Sequence, residues 1–393
     1  MLRASLQIAF LAITIVGLTA CVDTRTVLPE TALAKAAVDG FEDSLIRLWG
    51  DAKSSEIDLA KIKASPQLKS TKDAADGTMR QDFLVLSGGG ANGAYGAGFL
   101  SGWTKSGQRP DFSMVTGVST GAIIAPFAYL GSEYNALLEE FYTTYSTKDL
   151  VRSRGLGGIL AGSSAADSKP LANLIAKYIT PEIVKKIADE YSEGRFLLIG
   201  TTNLDEQRPV IWNMGEIARK GNQRAIELFR KIILASISIP AAFPPVLINV
   251  STASASGQEL HVDGGTTDNA ILVPFHVRLN AVDTKPKKGF KRRVFVIVNS
   301  RSVPKREVVK TSTIKIAVRS ISTLIQQQTS GDVLRIYNYA RANSIEFNYR
   351  EIPKDFDKEA TELFDPIYMQ ALFDLGKEEG TENHNWKSVP NNF

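Results

Sequence analysis

The sequence predicts an α/β protein whose sheet is covered by helices on both faces. Three observations carry that expectation. Continuous apolar runs occur at 82–87 (DFLVLS), 112–117 (FSMVTG), 195–204 (RFLLIGTTNL) and 293–300 (RVFVIVNS), each the length of a buried strand. Stretches long enough for helices alternate with them. Glycine-rich turns follow the first two runs, where strand-to-helix loops of such a sheet belong.

The elements follow in order. A helix is expected over 92–105, then the second strand, then a helix from 120 to 130. Residues 134–145 and 168–192 read as helical. Strands are expected at 195–204, 209–214, 259–265 and 293–300, with a helix at 225–236 between them. Two helices are expected within 311–344, a late strand at 344–352, and a final helix near 366–380. The stretch 153–168 is rich in Gly and Ser and reads as a loop or lid.

The chain has 393 residues, 44% of them hydrophobic, which is ample for one large core. Its net charge is +4 with 22% charged residues, a balance that gives no support to nucleic-acid binding. The basic cluster Lys285 to Arg293, broken by Pro286 and Gly289, reads as a solvated loop before a strand.

Cys21 is the only cysteine, so an intramolecular disulfide and a cysteine-rich metal site are both excluded. Residues 1–20 carry Arg3 and an apolar stretch from Leu6 to Leu18, the layout of a secretory signal. LTAC (18–21) resembles the lipobox of bacterial lipoproteins, which implies lipidation at Cys21. Residues 21–79 read as a polar tether with short helices near 41–49 and 57–62, leading to a catalytic domain over 80–393. The expected location is the bacterial envelope, anchored in a membrane through Cys21. Val22 in place of an aspartate favours the outer membrane.

SGGGANGAYG (87–96) contains G-x-G-x-x-G at Gly88, Gly90 and Gly93, the pattern of a dinucleotide turn. A nucleotide site also needs an acidic residue at the end of the second strand. Asp111 lies before that strand, at the wrong end. What stands at its end is G-x-S-x-G, Gly117 to Gly121, with Ser119 at the centre of a nucleophile elbow. Acyl transfer from a serine creates an oxyanion, and the glycine amides of Gly88, Gly89 and Gly90 suit that charge. An oxyanion hole is therefore the better reading of the loop, with no nucleotide and no cofactor.

The base is less constrained. His261, His276 and His384 each read as packing or surface residues. Asp263, at a strand end before a double-glycine turn, is the better candidate, with an Asx turn as its alternative role. No cluster of metal ligands accompanies Ser119. Phe99, Leu100, Phe127, Ile239 and Phe243 are candidates for an acyl groove, each with ordinary core as the alternative.

Taken together, SGGGANGAYGAGFL, GVSTG and DGG resemble, in order, the glycine, serine and aspartate blocks of the patatin-like phospholipase family, bacterial lipoprotein type. The segments 235–246 and 268–274 are similar to family segments as well. The likeness spans roughly 81–300, and 368–380 resembles the tail of bacterial members, leaving 301–393 as a C-terminal extension. The resemblance implies a three-layer fold with a mainly parallel central sheet, similar to α/β-hydrolases. It further implies a Ser119–Asp263 dyad without histidine, no metal, and hydrolysis of acyl esters of phospholipids or other lipids. A non-catalytic lipoprotein using the same pocket to bind lipid is the alternative function.

Overall fold

The computed structural model describes residues 25–391 apart from 34–35, 54–55, 57–64, 73–76, 154–163, 165, 274–289, 303–305, 307, 310 and 383–385. Residues 1–20, Cys21, Val22, the expected helix near 57–62, His276, His384 and most of the 153–168 loop and basic cluster thus lie outside the described residues.

Among the described residues, one mixed sheet of eleven strands organises the molecule. In chain order the strands are β1 (Ala37–Val38), β2 (Arg47–Trp49), β3 (Thr71–Lys72), β4 (Met79–Leu86), β5 (Met114–Val118), β6 (Phe196–Asn203), β7 (Arg208–Asn213), β8 (Val246–Ser251), β9 (Ser256–Asp263), β10 (Lys291–Val298) and β11 (Ile345–Glu351). Five of them, β11, β10, β4, β5 and β6, run side by side and parallel. Their apolar runs are continuous because both faces are buried. On β4, Leu84 and Leu86 enter one core with Phe295 and Ile297, while Phe83 and Val85 enter the other with Val294 and Val296.

The longer helices are α1 (Gly93–Lys105), α2 (Thr120–Leu130), α3 (Asn135–Thr144), α4 (Lys169–Tyr178), α5 (Pro181–Ser192), α6 (Gln223–Ser236), α7 (Thr313–Ala342) and α8 (Pro366–Glu382). Local chemistry sets several starts. Thr180 caps α5, with Pro181 in its first turn, and the Asn222 side chain accepts from the amide of Ala225 to cap α6. Leu100, Ile124 and Phe229 bring α1, α2 and α6 onto the first face, and Val333, Ile336 and Ala340 bring α7 onto the second. The expected layers, helices on both sides of a sheet with a parallel centre, are the layers found. Helix α8 lies directly on α1. A side chain at Gly98 would meet the carbonyl oxygen of Phe373 at 2.0 Å, and one at Gly376 would meet that of Tyr95 at 2.2 Å. Only glycine permits backbones that close.

The pairing of β6 positions the site. Phe196 to Gly200 pair with Met114 to Val118 of β5, and Thr201 to Asn203 pair with Asp263 to His261 of β9. Strand β7 takes the opposite edge of β6 from Leu198 to Asn203. Parallel β5 and antiparallel β9 therefore meet end to end on one edge of β6. The residue after Val118 and the last residue of β9 become neighbours.

Three expectations need correction. The described part of 21–79 is not a tether with short helices. Leu28, Phe41 and Ile46 are buried in the first core, β1 pairs with β8, and β2, within the expected helix at 41–49, pairs with β7. The span 311–344 is one 30-residue helix, not two. Strand β8 was not expected at all, although VLINVS has its residues in the alternating pattern of buried and less buried positions that suits a sheet edge.

Candidate active site

Ser119 stands where β5 ends and α2 begins. Its φ is +53° and its ψ −125°, a conformation that L-residues rarely adopt. Such a residue costs of order 1–3 kcal/mol and persists only where its surroundings enforce it. Here the amide of Ser119 donates to Ser236 Oγ (2.9 Å), whose hydroxyl donates to the Gly200 carbonyl (2.7 Å), and the Ser119 carbonyl accepts from the Ala122 amide (2.8 Å). The two elbow glycines are required by close approach. A side chain at Gly117 would meet the Gly121 carbonyl oxygen at 2.3 Å, and one at Gly121 would meet that of Leu86 at the same distance. The G-x-S-x-G spacing thus encodes the turn physically.

Asp263 faces the serine across the β5–β9 seam. Ser119 Oγ donates to Asp263 Oδ2 at 2.7 Å, and the Gly265 amide donates to Oδ1 at 2.8 Å. The backbone amide of Asp263 is held by the Ser238 carbonyl at 3.0 Å. Only 1% of Asp263 and 6% of Ser119 is exposed, so the pair works out of bulk water. Burial pushes the Asp263 carboxyl up to about 7, against the lowering effect of its two hydrogen bonds. A carboxylate so raised is a competent base near neutral pH.

The glycine loop needs one correction. The Gly88 amide donates to the Asn269 carbonyl at 3.0 Å, so it is not free to hold an oxyanion. Among the described residues the amides of Gly89 and Gly90 have no partner, and Gly90 lines the pocket beside Ser119. Gly88 instead admits the neighbours of the site. A Cβ there would lie 2.1 Å from Asn269 Oδ1 and 2.9 Å from Ser119 Cβ. The amide of Thr120, first in α2, is likewise without a partner among the described residues. It adds a donor that the glycine motif did not suggest, but a nucleophile elbow regularly offers the amide after its serine.

Above Ser119 is a narrow slot of about 40 Å³, walled mainly by apolar side chains including Ile123, Phe141, Ile237, Phe243, Phe364 and Met369. Of the expected groove residues, Ile239 and Phe243 line it. Phe99, Leu100 and Phe127 do not and belong to the buried core, Phe99 packing edge-on against Trp386 with ring centres 5.1 Å apart. Phe364 and Met369 were missed because they come from the C-terminal extension. Phe364 is fastened by Thr147, whose amide donates to its carbonyl (3.1 Å) and whose hydroxyl accepts from its amide (2.8 Å).

His261 is buried and its ring nitrogens bond other residues than the serine. Its Nδ1 meets Thr201 Oγ1 at 3.0 Å and its Nε2 meets Glu259 Oε2 at 3.1 Å, so both ring nitrogens are occupied. Among the described residues no group of three or more His, Cys, Asp or Glu side chains could hold a metal ion.

Residues 84–277 match the model of the patatin-like phospholipase family. The chain carries a patatin-like domain. Membership of that family suggests lipid acyl-ester hydrolysis. Strands β10 and β11 and helices α7 and α8 lie beyond the matched segment of this patatin-like chain. No curated protein matches it. Among solved structures, one similar chain is VipD from Legionella pneumophila, with 12% identity, a TM-score of 0.39, and coverage of 81% of this chain and 70% of that one.

Proposed function

We propose that this patatin-like protein is a serine acyl hydrolase of the phospholipase A or lysophospholipase type, working through Ser119 and Asp263. The observation that carries the reading is the 2.7 Å hydrogen bond from a strained, buried serine to a buried carboxylate at the foot of an apolar slot. Asp263 takes the proton as Ser119 Oγ attacks the ester carbonyl. The amides of Gly89 and Gly90 receive the oxyanion, assisted by the N-terminus of α2. The C–O bond to the alcohol then breaks, and the alcohol leaves with the proton from Asp263. Water enters and gives a proton to Asp263 as its oxygen bonds to the acyl carbon. The bond to Ser119 Oγ then breaks, the fatty acid leaves, and Asp263 returns the proton to Ser119 Oγ. No histidine takes part.

Ser119→Ala tests this directly. It should abolish hydrolysis of a soluble ester and labelling by a fluorophosphonate while the thermal melt stays close to that of the wild type. Residual activity above a few per cent would mean that another nucleophile operates. Mass spectrometry of a total lipid extract before and after incubation would identify the lipid cleaved.

We further propose that lipidated Cys21 tethers the enzyme to an envelope membrane, the outer one by preference. The support is the LTAC sequence at 18–21 and the position of the sole cysteine within it. Cys21→Ser should move the protein from the membrane fraction to the soluble envelope fraction.

A further inference from the structure

Helix α7 lies outside the segment that matches the family, yet it grips the site through one residue, Asn269. The Asp332 carboxylate is fully buried, and its Oδ2 accepts from the amides of Asn269 (2.6 Å) and Ala270 (3.1 Å). One turn earlier on the helix, Thr329 Oγ1 accepts from Asn269 Nδ2 at 2.6 Å, and Thr329 itself donates to the Ile325 carbonyl at 2.7 Å. Asn269 is thus held by backbone and by side chain. It in turn holds both halves of the acyl-transfer apparatus. Its carbonyl takes the Gly88 amide at the start of the glycine loop. Its Oδ1 packs between Gly88 and Gly265, where an added Cβ would lie 2.1 Å and 2.7 Å away. Gly265 is the donor that orients Asp263.

Asn269 Oδ1 is itself buried with no hydrogen-bond partner among the described residues, which costs about 1–3 kcal/mol. Flipping the carboxamide does not relieve it, because the hydroxyl proton of Thr329 already goes to Ile325. The charge of Asp332 is in turn steadied by Arg335 and by Gln328 Nε2 (2.9 Å), and Arg335 also reaches Asp268 at 2.7 Å.

We infer that Asp332 is a positioning residue for the acyl-transfer reaction: through Asn269 it fixes the glycine loop and the Asp263 turn at one spacing. The inference rests on the assignment of Ser119 and Asp263 proposed above. Asp332 touches no reacting atom. It sets the distance between the oxyanion donors and the base, and a misplacement of about 1 Å there is enough to cost a hundredfold in rate.

The test uses the full chain and p-nitrophenyl butyrate. Asp332→Ala should lower kcat by about a hundredfold with KM within a few-fold of wild type, and should slow fluorophosphonate labelling of Ser119 in parallel. Asp332→Asn keeps an oxygen that accepts the same two amides, so it should recover most of the lost rate. Thr329→Val, nearly isosteric, should lower kcat in the same sense by a smaller factor. Wild-type kcat in folded Asp332→Ala, a rise in KM alone, or an Asn variant no better than Ala would each overturn the inference. Should Asp332→Ala fail to fold, Thr329→Val decides, and a wild-type kcat there overturns it. Ser119→Ala, run alongside, separates the two ideas. Activity surviving in Ser119→Ala sinks the site assignment, whereas a dead Ser119→Ala with full rates at 329 and 332 sinks only the role of α7.

Discussion

His261 and Asp263 are buried two residues apart on β9, exposed by 0% and 1%, and both are titratable. Their surroundings differ in how completely the partners fill each group's hydrogen-bonding positions. His261 sits among Thr201, Glu259 and the Trp212 ring, and Glu259 is paired with Arg47 through a second bond of 3.0 Å. Burial opposes charge on Glu259, yet hydrogen bonds from His261 and Arg47 hold it down at about 2. Burial pushes the imidazole down too, and the partners fit a neutral ring with its proton on Nε2. That network is closed. Asp263 has a serine hydroxyl, one amide and no cation, so burial dominates and its carboxyl rises to about 7. The lesson is that burial alone does not mark a catalytic group. Burial with an incomplete set of partners marks a candidate, because the proton affinity it creates is left available.

The largest expected effect breaks the Asp263 side of that contrast. Asp263→Asn removes the proposed proton acceptor and should lower kcat by about a thousandfold. It should also stabilise the fold. A carboxyl raised by folding from 3.8 to about 7 contributes its stability in full at low pH and loses it as pH climbs through that window. The Asn variant has no such loss. It should gain on wild type by about 1.4 kcal/mol per pH unit between pH 4 and 7 and keep that lead above. Thermal melts of both proteins from pH 4 to 8 check this, and equal slopes would remove burial as the cause of the raised value.

A smaller effect tests burial from the side of the slot. Phe364 covers Ser119, but its backbone, not its ring, is what Thr147 fastens. Phe364→Ala should therefore leave the strap in place and open the slot. Water admitted there favours the ionised carboxylate, so the acid limb of kcat/KM, which rises with pH through the Asp263 ionisation, should move to lower pH by less than about one unit. Octanoyl esters should gain on butyryl esters, because a slot of about 40 Å³ holds little of a long chain. A limb that stays put while chain preference changes would mean that Phe364 shapes the slot without drying the dyad.

Much of this contrast was legible in the sequence, and what was hidden has physical reasons. Ser119 and Asp263 could be read because their chemistry demands local backbone geometry, a crowded elbow and a strand end, and glycines mark both. The five parallel strands could be read because burial on both faces writes an unbroken apolar run. Strands β1 to β3 are two or three residues long, too short for any period to show, and they hid the folded N-terminal stretch. In α7 the polar sequence QQQTSGD (326–332) interrupts the apolar pattern of the span where two helices were expected. Those residues are polar because Thr329 and Asp332 face Asn269 and because Gly331 is exposed. The partner that removes the Gly88 amide from the oxyanion hole comes from a distant turn, and no motif around Gly88 announces it.

The smallest expected effect on catalysis is the one that closes the comparison. His261→Gln should keep kcat within about twofold, since neither ring nitrogen reaches Ser119 and the rate depends on a different group. Its cost should fall on stability. Gln cannot span from Thr201 to Glu259 as the ring does, so a buried acceptor on Glu259 or the hydroxyl of Thr201 loses its partner, a loss of about 1–3 kcal/mol. The loss should be full near pH 8 and shrink toward pH 6, because the unfolded wild-type imidazole takes up a proton as pH falls through its ordinary value of 6.5 while burial pushes the folded ring down. The pH–rate profile should overlay that of wild type, with the same single acid limb from Asp263. A folded His261→Gln that has lost its activity, or one whose acid limb has moved, would show that the ring feeds the dyad, and the contrast between the two buried groups would collapse.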